Sequence, residues 1–304
     1  MIRRTATLLI LALGLAGGCS QANRSDPDPA VRTPSAAPAT TTATPTATPS
    51  RAPEREFRIE ERELDFSRGP DRPLETTVWY PADGDGPFPL VVFSHGLASE
   101  PAAYTSVLRP WARAGFVVAA PRYPHTAYRV PDFDAVDVLN QPADAAEVIT
   151  RMLAVNRKPG DPLAGRIDPD RIAAAGHSAG GVTTIGMFSG VRDERLDAGI
   201  VLSGRRVLPV PFAGEPAPML FVHGKRDRTV RYAEGLAAFD AVPWPKAMMA
   251  VTEGGHVAIT KDFLPVIATT TDFLRWALYG DERARDRLAA DATKGKRATL
   301  IDRL

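Results

Sequence analysis

Ser178 stands in Gly176-His177-Ser178-Ala179-Gly180, directly after a run of small apolar residues and at the start of a helical pattern. A serine on such a sharp strand-to-helix turn sits in strained backbone and lifts its hydroxyl above the sheet. Gly176 and Gly180 leave room for the strand before it and the helix after it. That alcohol is a weak nucleophile until a base accepts its proton and a third group orients the base. The expected base is His256, behind Gly254 and Gly255, and the expected orienting acid is Asp227 in His223-Gly224-Lys225-Arg226-Asp227. Asp227 also has the plainer reading of a turn aspartate between Arg226 and Arg228, and His256 that of a helix-capping residue. The oxygen that turns negative during acyl transfer needs donors fixed in advance. Two backbone amides suit: Ala179 N–H, next after the nucleophile, and Leu97 N–H in the turn Ser94-His95-Gly96-Leu97. His95 is expected to pack beneath that turn, and His177 to point away from Ser178.

These residues need a scaffold that brings distant segments to one edge. From Phe57 onward, short apolar runs alternate with longer helical patterns, the signature of crossovers feeding a largely parallel sheet. Strands are predicted at Leu74–Tyr80, Leu90–Ser94, Phe116–Ala120 (closed by Pro121), Arg171–Ala175, Ala198–Leu202, Met219–His223 and Ala247–Thr252. Helices are predicted at Ala102–Ala114, Pro142–Val155, Gly180–Phe188, Ala233–Phe239 and Asp262–Tyr279. In such a sheet the carboxyl ends of strands face the site, so Tyr123, His125, Tyr128, Arg205 and Arg206 are candidate walls for a substrate. Inward-facing arginines would hold a carboxylate or phosphate, whereas outward-facing ones are a solvated pair. Only about sixteen residues separate Leu202 from Met219, too few for a helical lid, so the site should open upward and favour short or accessible acyl groups.

The composition narrows the chemistry. With 37 basic and 36 acidic residues there is no electrostatic case for nucleic acid. No pair of the five histidines has metal-ligand spacing on a helix, and no cofactor is implied. Cys19 is the single cysteine, which excludes an intrachain disulfide and a thiol nucleophile in the folded part. Arg3 and Arg4, the apolar stretch Leu8 to Ala16, and Gly17-Gly18 read as an export signal over residues 1–18. Leu15-Ala16-Gly17-Gly18-Cys19 resembles the lipobox of bacterial lipoproteins, with Ala16 where leucine is commonest. The alternatives are a lipid-anchored surface protein and ordinary cleavage with release. Residues 19–53, rich in Ala, Thr, Pro and Ser, read as a tether, and residues 54–304 as one catalytic domain, expected to be monomeric.

Six segments together resemble serine hydrolases of the α/β-hydrolase superfamily. They are Pro73 to Ala82, Pro89 to Ser99, Ala114 to Pro121, Gly176 to Gly181, His223 to Val230 and Gly254 to His256. Within it the chain is similar to the group that joins platelet-activating-factor acetylhydrolases, chlorophyllase-like and dienelactone-hydrolase-like proteins and bacterial polyester hydrolases. The resemblance implies a mostly parallel sheet with helices on both faces and no large lid. It also implies ester hydrolysis through an acyl-enzyme, with Ser178, Asp227, His256, Leu97 and Ala179 in the roles given above. The open site and the candidate arginines favour short-chain or phospholipid-type acyl esters, and the membrane is expected to be engaged only through the anchor. Dienelactone hydrolases proper use cysteine where Ser178 stands, and polyester hydrolases carry an aromatic residue where Leu97 stands. Other readings of the same residues are a polyester hydrolase, an acyltransferase or peptidase with the same triad, and a surface-binding lipoprotein without turnover.

Overall fold

The computed structural model describes residues 51–304 apart from 85, 191 and 258–262. The export signal, Cys19 and the tether up to residue 50 lie outside the described residues, as does the expected helix start at Asp262. Near the start of the described residues, Ala52 is already buried.

Among the described residues, nine strands form one sheet. In chain order they are β1 (Ile59–Ser67), β2 (Pro73–Pro81), β3 (Phe88–Ser94), β4 (Val117–Arg122), β5 (Ile167–His177), β6 (Leu196–Leu202), β7 (Met219–Gly224), β8 (Lys246–Val251) and β9 (Ala298–Arg303). They lie in the order β1-β2-β4-β3-β5-β6-β7-β8-β9. The six central strands β4, β3, β5, β6, β7 and β8 run parallel, while β1, β2 and β9 pair antiparallel at the two margins. This is the mostly parallel arrangement expected of an α/β-hydrolase.

Six α-helices are present among the described residues: α1 (Thr105–Arg113), α2 (Gln141–Asn156), α3 (Ala179–Met187), α4 (Tyr232–Ala241), α5 (Phe263–Tyr279) and α6 (Glu282–Thr293). One face of the sheet buries Ile149 and Met152 of α2, Ile185 of α3 and Phe239 of α4. The other buries Leu108 and Trp111 of α1, Phe273 and Leu274 of α5 and Leu288 of α6. Covered on both faces, β3 and β7 are buried along their whole length, which explains their uninterrupted apolar sequences.

Four elements depart from the sequence expectation. Strand β1 reads IEERELDFS, so charged that neither alternation nor an apolar run marks it; it is a marginal strand with one half-exposed face. Strand β9 and helix α6 lie past the last expected helix, and α6 has few apolar residues. Pro121 does not close β4, which continues to Arg122 while Pro121 pairs with Thr76 of the antiparallel neighbour β2.

A short 3-10 helix, Ala135–Leu139, precedes α2 and stands on a buried ion cluster. The Arg72 guanidinium forks onto Asp137 with two contacts of 2.8 Å and reaches Asp144 Oδ1 at 2.9 Å, while Arg68 donates to the same Asp144 oxygen at 2.7 Å. Hydrogen bonds to Asp144 and Asp137 hold the Arg72 guanidinium well above its ordinary value. Burial alone would raise the Asp137 carboxyl, but hydrogen bonds from Arg72 and Asn140 outweigh it and hold the group below its usual range. Replacing Arg72 by Ala leaves two buried carboxylates with Arg68 as their remaining close cation, and should destabilise the fold by about 3 kcal/mol in urea titrations at pH 7. Because the folded Asp137 value lies below the unfolded one, the gap between wild type and variant should be full above about pH 4 and shrink as the pH falls further.

Candidate active site

The carboxyl ends of the central strands meet at one edge. Ser94 at the end of β3 is in register with Gly176 of β5, and Gly224 at the end of β7 with Val251 of β8. Ser178 follows β5 with φ 56° and ψ −116°, a left-handed backbone that L side chains rarely adopt. Its amide donates to Leu202 O at 2.9 Å, fixing the elbow to β6. The flanking glycines are required by close approach. A Cβ on Gly180 would overlap the Ser94 carbonyl, and one on Gly176 would overlap the carbonyl of Gly180.

Ser178 Oγ lies 2.8 Å from His256 Nε2, and His256 Nδ1 lies 2.8 Å from Asp227 Oδ2. The Asp227 side chain is fully buried, and its other oxygen accepts the amides of Thr229 at 2.8 Å and Val230 at 2.9 Å. Those bonds leave Oδ2 for the imidazole, so His256 carries its proton on Nδ1 and presents the Nε2 lone pair to the serine. The loops that carry Asp227 and His256 are packed together, since a Cβ on Gly224 would overlap the carbonyls of Gly254 and Gly255. Gly254 and Gly255 are not among the left-handed residues, so the tight requirement falls on Gly224 instead.

The turn after β3 presses against Ser178, with a Cβ built on Gly96 falling 3.3 Å from its Cβ. Among the described residues, neither the Leu97 nor the Ala179 amide donates to a protein acceptor. Ala179 opens α3, so its amide also stands at the positive end of the helix. Both amides belong to residues that wall the cleft with Ser178, a space of about 380 Å³.

Three further histidines surround the site, and each donates one N–H to a backbone carbonyl of a site loop. His95 accepts the Tyr123 amide on Nε2 at 3.1 Å, so its Nδ1–H donates to Gly96 O at 2.8 Å. His177 donates from Nε2 to His256 O at 2.9 Å, and its Nδ1 accepts the Tyr104 hydroxyl at 3.0 Å. Tyr104 in turn accepts the Gly96 amide at 3.0 Å, which joins the turn after β3 to the loop of His256. His223 donates from Nε2 to Val230 O at 2.8 Å and stands 3.3 Å from Asp227 Oδ2. Burial pushes His95 and His177 each down to about 4, and lowers His223 as well. No motif marks Tyr104, whose contact with His177 spans 73 residues of chain. His223 was visible only as part of the segment leading to Asp227.

Of the candidate walls, only Arg205 lines the cleft, and its Nη1 is held by Glu234 Oε1 at 2.6 Å. Tyr123 does not wall the cleft: it is fully buried, with its hydroxyl 2.8 Å from Ser94 Oγ at the end of β3. His125 and Tyr128 sit on the following loop, outside the residues that line the cleft; His125 donates to Asp132 O at 3.2 Å, and Arg129 stacks 4.9 Å over the Tyr128 ring. Arg206 turns onto Val210 O at 2.8 Å and the Phe212 ring, bracing the loop after β6. The actual wall is aliphatic: Leu97, Val136, Val138, Leu139, Val182 and Val207. Several of these lie in segments that carry no motif, so residue type alone did not single them out.

Fold and site together define a serine hydrolase of the α/β-hydrolase class. The chlorophyllase family model matches residues 52–204, about half of the chain, and the chain belongs to that family. It is accordingly an ester hydrolase of the α/β-hydrolase type. The match covers β1 to β6 and the Ser178 elbow, whereas Asp227 and His256 lie beyond it. Comparison with curated proteins found no match.

Two outcomes follow from this geometry. Between about pH 6.5, the value of a free imidazole, and about 4, the unfolded chain takes up protons that folded His95 and His177 refuse. Stability should therefore fall as the pH drops through that window, read as a declining urea midpoint, and the decline should flatten in His177→Gln. Tyr104→Phe should lower kcat on a simple ester by about tenfold, the equivalent of one lost buried hydrogen bond, with little change in KM.

Proposed function

We propose that the protein is an exported serine esterase that hydrolyses carboxylic esters through an acyl-enzyme on Ser178. One observation carries the reading: the line from Ser178 Oγ through His256 to a buried Asp227, with 2.8 Å at each step. As Oγ attacks the ester carbonyl, His256 Nε2 accepts its proton while Nδ1–H stays on Asp227, which stabilises the imidazolium. The carbonyl oxygen becomes negative in front of the Leu97 and Ala179 amides, donors that need no reorganisation. His256 then passes the proton to the leaving oxygen, the C–O bond breaks, and the acyl group remains on Ser178. Water, activated by the same imidazole, attacks the acyl-enzyme, and the acid leaves as Ser178 regains its proton.

The aliphatic wall supports an acyl group as the bound part, short or phospholipid-type chains included. The charged start, apolar stretch and Cys19 support export with a lipid on that cysteine, which mass spectrometry of the mature N-terminus from the producing cell would test. Residues 51–304 should cleave p-nitrophenyl butyrate and take a fluorophosphonate covalently on Ser178. Ser178→Ala should lose at least about 10⁴-fold in kcat and all labelling. Full activity in that variant would overturn the assignment of the nucleophile.

A further inference from the structure

The cleft at Ser178 is not closed at its far end. A second cavity of about 270 Å³ adjoins it, and Val138, Leu139, Val182 and Val207 line both. The second space continues past Ile185 to Leu208 and Val210. No charged side chain lines it among the described residues, while Arg205 lines only the first. Leu139, Val207, Leu208 and Val210 are 44%, 46%, 49% and 36% exposed, a contiguous aliphatic surface of the kind that marks a ligand groove. The wall is held in place rather than collapsed onto α3. Gly190 N donates to Pro211 O at 3.1 Å, Ala213 N to Phe188 O at 3.1 Å, and Arg206 to Val210 O at 2.8 Å. His256, which must stand beside the leaving oxygen to protonate it, lines neither cavity. The part of the ester that enters this space is therefore the part that stays bonded to Ser178.

We propose that the two cavities form one acyl groove, and that the protein prefers esters whose acid carries an unbranched saturated chain long enough to reach Leu208 and Val210. This deepens the esterase reading of Ser178 and rests on it. The short segment between Leu202 and Met219 leads to an expectation of short acyl groups, and the space between α3 and the loop after β6 adds room for a longer chain. Each methylene transferred from water into the groove should raise kcat/KM by about fourfold until the groove is full.

The test is a series of p-nitrophenyl alkanoates from acetate to dodecanoate, kept below their aggregation concentrations, on the wild type, Leu208→Asp and Val210→Trp. Leu208 and Val210 are surface-accessible enough for both changes to leave the core packing alone. The wild type should gain with chain length beyond butyrate. Leu208→Asp should cut the ratio of long-chain to acetate kcat/KM at least tenfold, and Val210→Trp should move the optimum to shorter chains. A parallel series of n-alkyl acetates, with the chain on the alcohol, should show no such dependence. Unchanged chain-length profiles in both variants, or a dependence confined to the alkyl acetates, would overturn the groove. Absence of turnover on every ester together with absence of fluorophosphonate labelling would instead remove the esterase reading beneath it.

Discussion

The contact of Gly180 with the Ser94 carbonyl governs the geometry of this molecule's site. Helix α3 can start only where β3 ends, because no side chain separates them. The backbone must then turn through a left-handed residue at Ser178, a conformation that costs on the order of 1–3 kcal/mol and survives only where the surroundings impose it. The Ser178 amide bond to Leu202 and the close approach of Gly176 to Gly180 impose it from the other sides. The same contact sets the distance between the serine and the turn after β3, so nucleophile and Leu97 amide are positioned by one packing event and not by two.

Around that point, three loops are braced in the same way. The loops carrying Gly96-Leu97, Asp227 to Val230 and His256 each have a backbone carbonyl that accepts an N–H from a buried neutral imidazole: His95, His223 and His177 respectively. A neutral imidazole suits this position because it offers a donor and an acceptor on opposite edges without bringing a charge into the interior. His177 uses both edges, with Tyr104 on one and His256 O on the other. Four histidines thus share one neighbourhood, yet only His256 keeps a ring nitrogen for the serine. The environment assigns the roles, since burial keeps the other three from competing as bases.

How much of this was legible in the chain follows from how local each determinant is. The elbow, the Leu97 turn and the order of Ser178, Asp227 and His256 could be read directly because steric and chemical demands fix residue types over a few positions. Central strands stood out because burial on both faces makes their inner stretches apolar. Strand β1 did not, since a marginal strand with an exposed face has no such demand and can be charged at most positions. Tyr123 was misplaced for a related reason. Position after a strand end says that a residue is near the edge, but not whether its side chain points up into the cleft or down onto Ser94. Tyr104 and the aliphatic wall arise from tertiary contacts between segments with no shared motif, which spacing cannot reveal.

The two halves of the cleft are built on opposite principles, and the difference has a physical logic. On the polar side every donor and acceptor is fixed, because transition-state charge is stabilised best by dipoles that do not move. The opposite wall has no directional bonds to offer a substrate, so its shape must be held from behind. The 3-10 helix Ala135–Leu139 does this by facing two ways: Val138 and Leu139 toward the cleft, Asp137 down onto Arg72. Gln141, just past it, bridges Thr126 and Thr183 with contacts of 2.6 Å each, tying the same wall to α3. A buried ion cluster of this sort adds little to stability compared with apolar packing of equal volume, but its forked geometry permits only one seating. An aliphatic surface that would otherwise collapse onto the nearest apolar neighbour is thereby kept open beside the serine.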